Sequence, residues 1–121
     1  MKGDDIAERL LVVGSACVRI ARRLPRDLAG RTIATQLIRC GTAGGANYAE
    51  ARCAESRADF IHKIAVAAKE VRETSYWLSI IERTQLTAAV PVERLIAETN
   101  ERVAILMASM STARGQEQSC P

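Results

Sequence analysis

Aromatic residues are scarce in this chain. Tyr48, Phe60, Tyr76 and Trp77 are the whole complement, 3% of 121 residues. A core must therefore be built from Leu, Ile, Val and Ala. Histidine is scarcer still: His62 stands alone, with no Glu three residues before it. A bundle di-iron centre needs two Glu-x-x-His pairs, so no metal is expected. No Ser-His-Asp or Cys-His set emerges either, so no catalytic residue, no cofactor and no enzymatic activity are expected. The cysteines Cys17, Cys40, Cys53 and Cys120 show no CxxC spacing. No apolar run approaches the 18 residues of a membrane span, and the start MKGDDIAERL has no apolar stretch of a signal peptide. Unpaired cysteines and no export signal predict a cytoplasmic protein.

What is present is helical periodicity. Ile6, Leu10, Val13, Cys17, Ile20 and Leu24 step by fours and threes, which predicts a first helix over about 4–23. Leu24-Pro25 stops it, because a residue before proline is pushed out of helical angles. A second helix is expected over 28–53, with Ile33, Leu37, Cys40, Gly44, Asn47 and Ala51 on one face. Ser56 reads as the N-cap of a third helix, with Asp59 three residues on. Its stripe is Phe60, Ile64, Ala67, Val71, Thr74, Leu78 and Ile81. Pro91 suits the first turn of a fourth, whose stripe is Val92, Ile96, Thr99, Val103, Leu106 and Met110. Lys69–Glu73 and Glu98–Arg102 read as i,i+4 ion pairs. The pattern predicts an all-α, antiparallel up-down-up-down four-helix bundle, one domain over 1–114 with a flexible tail over 115–121.

The stretch CGTAGGANYAEA, residues 40–51, is the least ordinary. It is no phosphate loop: a helical QLIRC precedes it, and no Lys-Ser or Lys-Thr follows. Each glycine inside a helix costs about 1 kcal/mol against alanine, yet the apolar phase continues through all three. Gly41, Gly44 and Gly45 therefore predict a kinked but continuous helix crossed closely by its neighbour, with Gly14, Ser15 and Ala16 as facing positions. Asn47 falls on the core stripe and Glu50 on its flank. Together with Glu70 and Glu73 they read as a polar layer that fixes helix register, or as a binding pocket or oligomer contact.

The net charge of +3 is carried almost wholly by arginine; Lys2, Lys63 and Lys69 are the lysines. Guanidinium forks suit phosphate better than ammonium does. Arg19, Arg22, Arg23 and Arg26 cluster and would share one helical face, with Arg31 and Arg39 close behind. They are the candidate phosphate contacts, and structured RNA read through its backbone is the expected ligand. A protein-interaction scaffold is the alternative, with the same arginines paired to carboxylates.

QLIRCGTAGGANYAEA followed by SRADFIHKIAVAAKEVRETSYWL resembles the four-helix-bundle proteins encoded inside intervening sequences of bacterial large-subunit ribosomal RNA genes. Gln36, Leu37, Arg39, Asn47, Glu50, Ser56, Asp59, Phe60, Lys69, Glu70, Glu73, Thr74 and Trp77 carry the likeness; Gly44-Gly45 departs from it. The resemblance implies a bundle that forms ring-like homopentamers. A related family, the accessory protein of diversity-generating retroelements, binds nucleic acid and a reverse transcriptase through basic surface. Structured RNA or an RNA-handling protein is thus the implied partner. The resemblance supplies no catalytic residue.

Overall fold

A computed structural model describes residues 2–87 and 92–119. Four helices follow in order: α1 Lys2–Ala21, α2 Leu28–Arg52, α3 Arg57–Thr84 and α4 Val92–Ser119. No strand occurs among the described residues. Short connections make successive helices antiparallel. α1 packs on α2, α2 on α3 and α3 on α4, while α1 and α4 touch only sparingly. The result is a four-helix bundle with one loose seam. Along that seam a cavity of about 470 Å³ opens between the start of α1 and the end of α4, beside Tyr48 and Phe60.

Local chemistry sets the helix ends. The α1 ladder tightens as Arg23 N donates to Ile20 O and Leu24 N to Ala21 O, and Pro25 follows. Asp27 caps α2 by accepting from Gly30 N at 2.8 Å. Ser56 caps α3 as expected, its hydroxyl accepting from Asp59 N at 3.0 Å. α4 continues through Gly115 to Ser119, past the 114 boundary expected for the tail, because no proline or cap intervenes. Pro91 and Cys120 lie outside the described residues.

All six α1 stripe residues are buried. The α3 stripe is buried throughout except for half-buried Phe60. α4 differs. Its buried face runs Val92, Leu95, Thr99, Arg102, Leu106 and Met110, with Ile96 and Val103 only half-buried. Both phases share Val92, Thr99, Leu106 and Met110. They differ in which flank turns inward, and the inward flank carries an arginine.

α2 is one unbroken helix through the glycine-rich stretch. The reason is lateral room. A Cβ on Gly41 would stand 2.7 Å from Cys17 Cβ and Sγ of α1. A Cβ on Gly44 would stand 2.6 Å from Val71 Cγ2 of α3. Both distances are below any real carbon contact, so the two glycines let α2 approach α1 on one side and α3 on the other. Gly14 is the facing position on α1, its would-be Cβ 3.1 Å from Gly41 O. Gly45 is less critical, because a Cβ there meets Leu10 at an ordinary 3.5 Å. Gly30 was not singled out by sequence, yet its Cβ would fall 1.8 Å from Pro25 O, where the chain folds back on itself.

Two alanine substitutions should therefore move stability in opposite directions. Gly41→Ala should lower the unfolding free energy by about 1 kcal/mol net, overpacking of 1–3 kcal/mol outweighing the gain in helix propensity. Gly45→Ala should raise it by up to about 1 kcal/mol. Urea unfolding followed by circular dichroism measures both, and equal effects would refute the close crossing.

Candidate nucleic-acid interface

The end of α1 and the start of α2 gather most of the expected arginines. Arg19 sits in the last turn of α1. Arg22 and Arg23 lie in the closing turn and Arg26 in the connection after Pro25. The four do not share one helical face, because α1 ends at Ala21 rather than Arg23. They form a corner instead. Arg19, Arg22 and Arg23 line one shallow cleft. Arg22, Arg26 and Arg31 line another, whose apolar wall includes Leu24, Pro25 and Ala34. Arg22 belongs to both.

All five side chains are exposed. None enters an ion pair among the described residues. Arg31 Nη1 donates to Arg26 O at 2.6 Å, which stiffens the loop without consuming charge. The nearest carboxylate in sequence, Asp27, is occupied as the α2 cap. At the opposite end of the bundle two of the basic groups are compensated. Arg52 Nη2 meets Asp4 Oδ1 at 2.6 Å, and Lys63 Nζ meets Glu50 Oε2 at 2.9 Å. Five exposed, unpaired guanidinium groups are thus gathered at the α1–α2 corner, where a polyanion would meet them together.

Arg39 leaves the candidate set. It bonds Glu70 Oε2 at 3.1 Å, Glu73 Oε2 and Gln36 Oε1. Desolvation pulls its pKa down, but the Glu73 and Glu70 charges more than offset that, so the net shift is upward. A guanidinium held by two carboxylates has little attraction left for phosphate.

The same contacts dissolve the expected polar layer. Glu70 and Glu73 come together on Arg39, and Glu73 also accepts from Trp77 Nε1 at 3.0 Å. Asn47 lies about 12 Å further along α2 at 1.5 Å per residue. Its Nδ2 donates to Ala43 O, one turn back on its own helix. Glu50 is exposed and paired with Lys63. The four polar residues therefore serve three separate contacts. The Lys69–Glu73 and Glu98–Arg102 pairs do not form either: Glu73 is taken by Arg39 and Trp77, and Arg102 Nη2 meets Glu101 at 3.2 Å.

Arg102 is the polar residue that pattern reading missed. It is 3% exposed, and its Nε and Nη1 are buried with no hydrogen-bond partner among the described residues. The buried threonines of α3 and α4 are self-satisfied: Thr74 donates to Glu70 O and Thr99 to Ile96 O, each at 2.8 Å. Cys17 and Cys40 are buried thiols. Burial, with the neighbouring Cys40 adding to it, pushes the Cys17 thiol up to about 12. These cysteines are packing groups, not nucleophiles. No group of three His, Cys, Asp or Glu residues among the described residues could hold a metal. Among the described residues no helix is long and apolar enough to cross a membrane.

A four-helix bundle with an arginine corner is the class of protein these features define. Within that class the chain belongs to the family of 23S rRNA-intervening sequence proteins, whose profile matches residues 5–108. It is similar to a crystal structure of a protein of unknown function from the S23 ribosomal protein family of Bacteroides thetaiotaomicron. The two share 32% identity and a TM-score of 0.82, over 92% of this chain and 99% of the other. No curated protein matches the chain.

The under-paired guanidinium generates its own test. Replacing a buried ion pair by apolar residues of similar volume is often neutral or stabilising by about 1–4 kcal/mol, and here the partner, Glu101, is exposed and would be left in water. Arg102→Met should leave the helical circular dichroism unchanged and raise the urea midpoint. A lowered midpoint would show that Arg102 is paired in solution.

Proposed function

We propose that this protein is a non-enzymatic, self-associating cytoplasmic bundle that holds structured RNA through the α1–α2 corner. The observation that carries the reading is the partition of charge: Arg19, Arg22, Arg23, Arg26 and Arg31 are exposed and uncompensated, whereas Arg39 and Arg52 are paired. Backbone phosphates of folded RNA are the ligand that such a corner suits, because guanidinium groups clamp phosphate oxygens without reading bases.

Self-association multiplies the effect. A ring of five copies would carry about fifteen net positive charges, and phosphate attraction follows the summed field. The surface that supports assembly is the outward side of α1 and α2. An apolar cleft of about 450 Å³ lies there, lined by Leu10, Gly14, Val18, Gly45 and Ala46. Leu11 stands on its rim 63% exposed, with Val12 and Ile38 also exposed. A knob beside a hole on one face is what a repeated contact between copies requires.

The same apolar face favours a second reading, a protein-interaction scaffold without RNA. Two experiments separate them. Arg22→Glu/Arg23→Glu should abolish retention of a hairpin RNA at low salt while leaving the fold intact. Unchanged retention, or no retention by the parent protein, rejects the RNA reading. Light scattering should give the parent about five times its 13.2 kDa subunit mass, and Leu11→Asp should reduce it to a monomer. A monomeric parent would reject the assembly.

A further inference from the structure

We infer that the outward face of α3 carries a second contact for nucleic acid: a platform on which Tyr76 stacks one unpaired base, flanked by Lys69, Arg72 and Arg83. The inference rests on the nucleic-acid reading above and deepens it. It places an unpaired stretch of strand on a surface separate from the arginine corner.

Tyr76 is 58% exposed, while Tyr48 is buried and Phe60 and Trp77 are half-buried. An aromatic ring left in water on a bundle otherwise poor in aromatics calls for a physical reason. Its orientation is fixed from behind. The Tyr76 and Trp77 rings meet edge to face, with centroids 5.2 Å apart and planes at 80°. Trp77 in turn donates to Glu73, and Glu73 is held by Arg39. Gln36 and Glu70 complete that clamp. A chain of contacts thus runs from α2 across α3 to the exposed ring. A ring held in advance loses little freedom when a base stacks on it.

The clamp also decides the charge around the ring. Glu73 would be the i,i+4 partner of Lys69, but Arg39 and Trp77 have drawn it to the α2 side. Lys69 is left exposed, and so are Arg72 and Arg83. None of the three is in an ion pair among the described residues. They stand seven and four residues before Tyr76 and seven after it, spacings that share one face of a helix. From Lys69 to Arg83 the face runs about 21 Å at 1.5 Å per residue. A few nucleotides of extended strand span that length. Their phosphates would lie along the cations while one base reaches the ring. A duplex hides the faces of its bases, so the ligand has to be unpaired there.

The test uses the full-length protein and a ten-nucleotide oligouridylate, unlabelled or labelled with fluorescein. Trp77 is the sole tryptophan and touches Tyr76, so its emission reports stacking directly. Binding should quench that emission. Tyr76→Ala should weaken affinity roughly tenfold and abolish the quench, at the scale of one stacked base. Tyr76→Phe should restore both. Arg72→Gln should weaken binding and reduce its salt slope by about one, and the quench of Trp77 at saturating oligouridylate should persist in Arg22→Glu/Arg23→Glu, whose substitutions lie away from the ring. Equal affinity of the alanine and phenylalanine variants overturns the platform. So does a change of light-scattering mass in Tyr76→Ala without loss of oligonucleotide affinity, since the face would then be a protein contact. If hairpin retention depends on Arg22 and Arg23 but oligouridylate does not bind, the platform falls and the corner stands. If neither RNA binds, both fall.

Discussion

The fold depends on the missing side chains of Gly41 and Gly44. α2 lies between α1 and α3, and at these two residues it presents bare backbone to both. Any Cβ would collide with Cys17 on one side or Val71 on the other. Core interiors are close-packed, so a methyl group at such a site forces the facing side chain or its helix to shift. The propensity cost of glycine inside a helix is thereby offset by dispersion contacts along two interfaces. The central position of α2 also explains why its exposed side chains, Arg39 above all, can reach carboxylates on α3.

Charge follows from that geometry rather than from composition. The chain carries +3, a modest figure, but its cations are unevenly matched. Close packing of α2 on α3 delivers Arg39 to Glu70 and Glu73. At the α1–α2 corner no arginine forms an ion pair among the described residues, and Asp27 is turned to its cap. The drawing of Glu73 toward α2 likewise leaves Lys69 without its sequence-adjacent partner. Surface ion pairs contribute little to stability, so their main consequence here is to decide which positive groups face solvent unmatched.

Much of the architecture was legible in sequence. The α1 stripe, the Ser56 cap and the continuity of α2 through its glycines follow from period and cap chemistry, which act locally. The α4 phase was not. Ile96 and Val103 looked like the core flank because they are apolar, yet Leu95 and Arg102 turn inward, the aliphatic stem of Arg102 covering core surface. Hydrophobicity ranks residues but cannot say which flank a neighbouring helix will cover. The polar layer failed for a related reason. Asn47, Glu50, Glu70 and Glu73 are correctly placed on facing helices, but pairing depends on height along the axis, and Arg39 stands level with the two α3 carboxylates. Gly30 had a readable signal in Pro25, Asp27 and Gly30, a tight reversal followed by a capped helix. The likeness to the intervening-sequence family recovered the fold without revealing which arginines remain unmatched.

The sparse meeting of α1 and α4 bears on how the chain finds its structure. Each helix rests chiefly on the helix before or after it in sequence, so contacts between distant parts of the chain are few. Low contact order of this kind favours collapse in microseconds to milliseconds, one hairpin of helices adding to the next. The bundle can therefore assemble progressively as it leaves the ribosome, without waiting for its last helix to close a ring with its first.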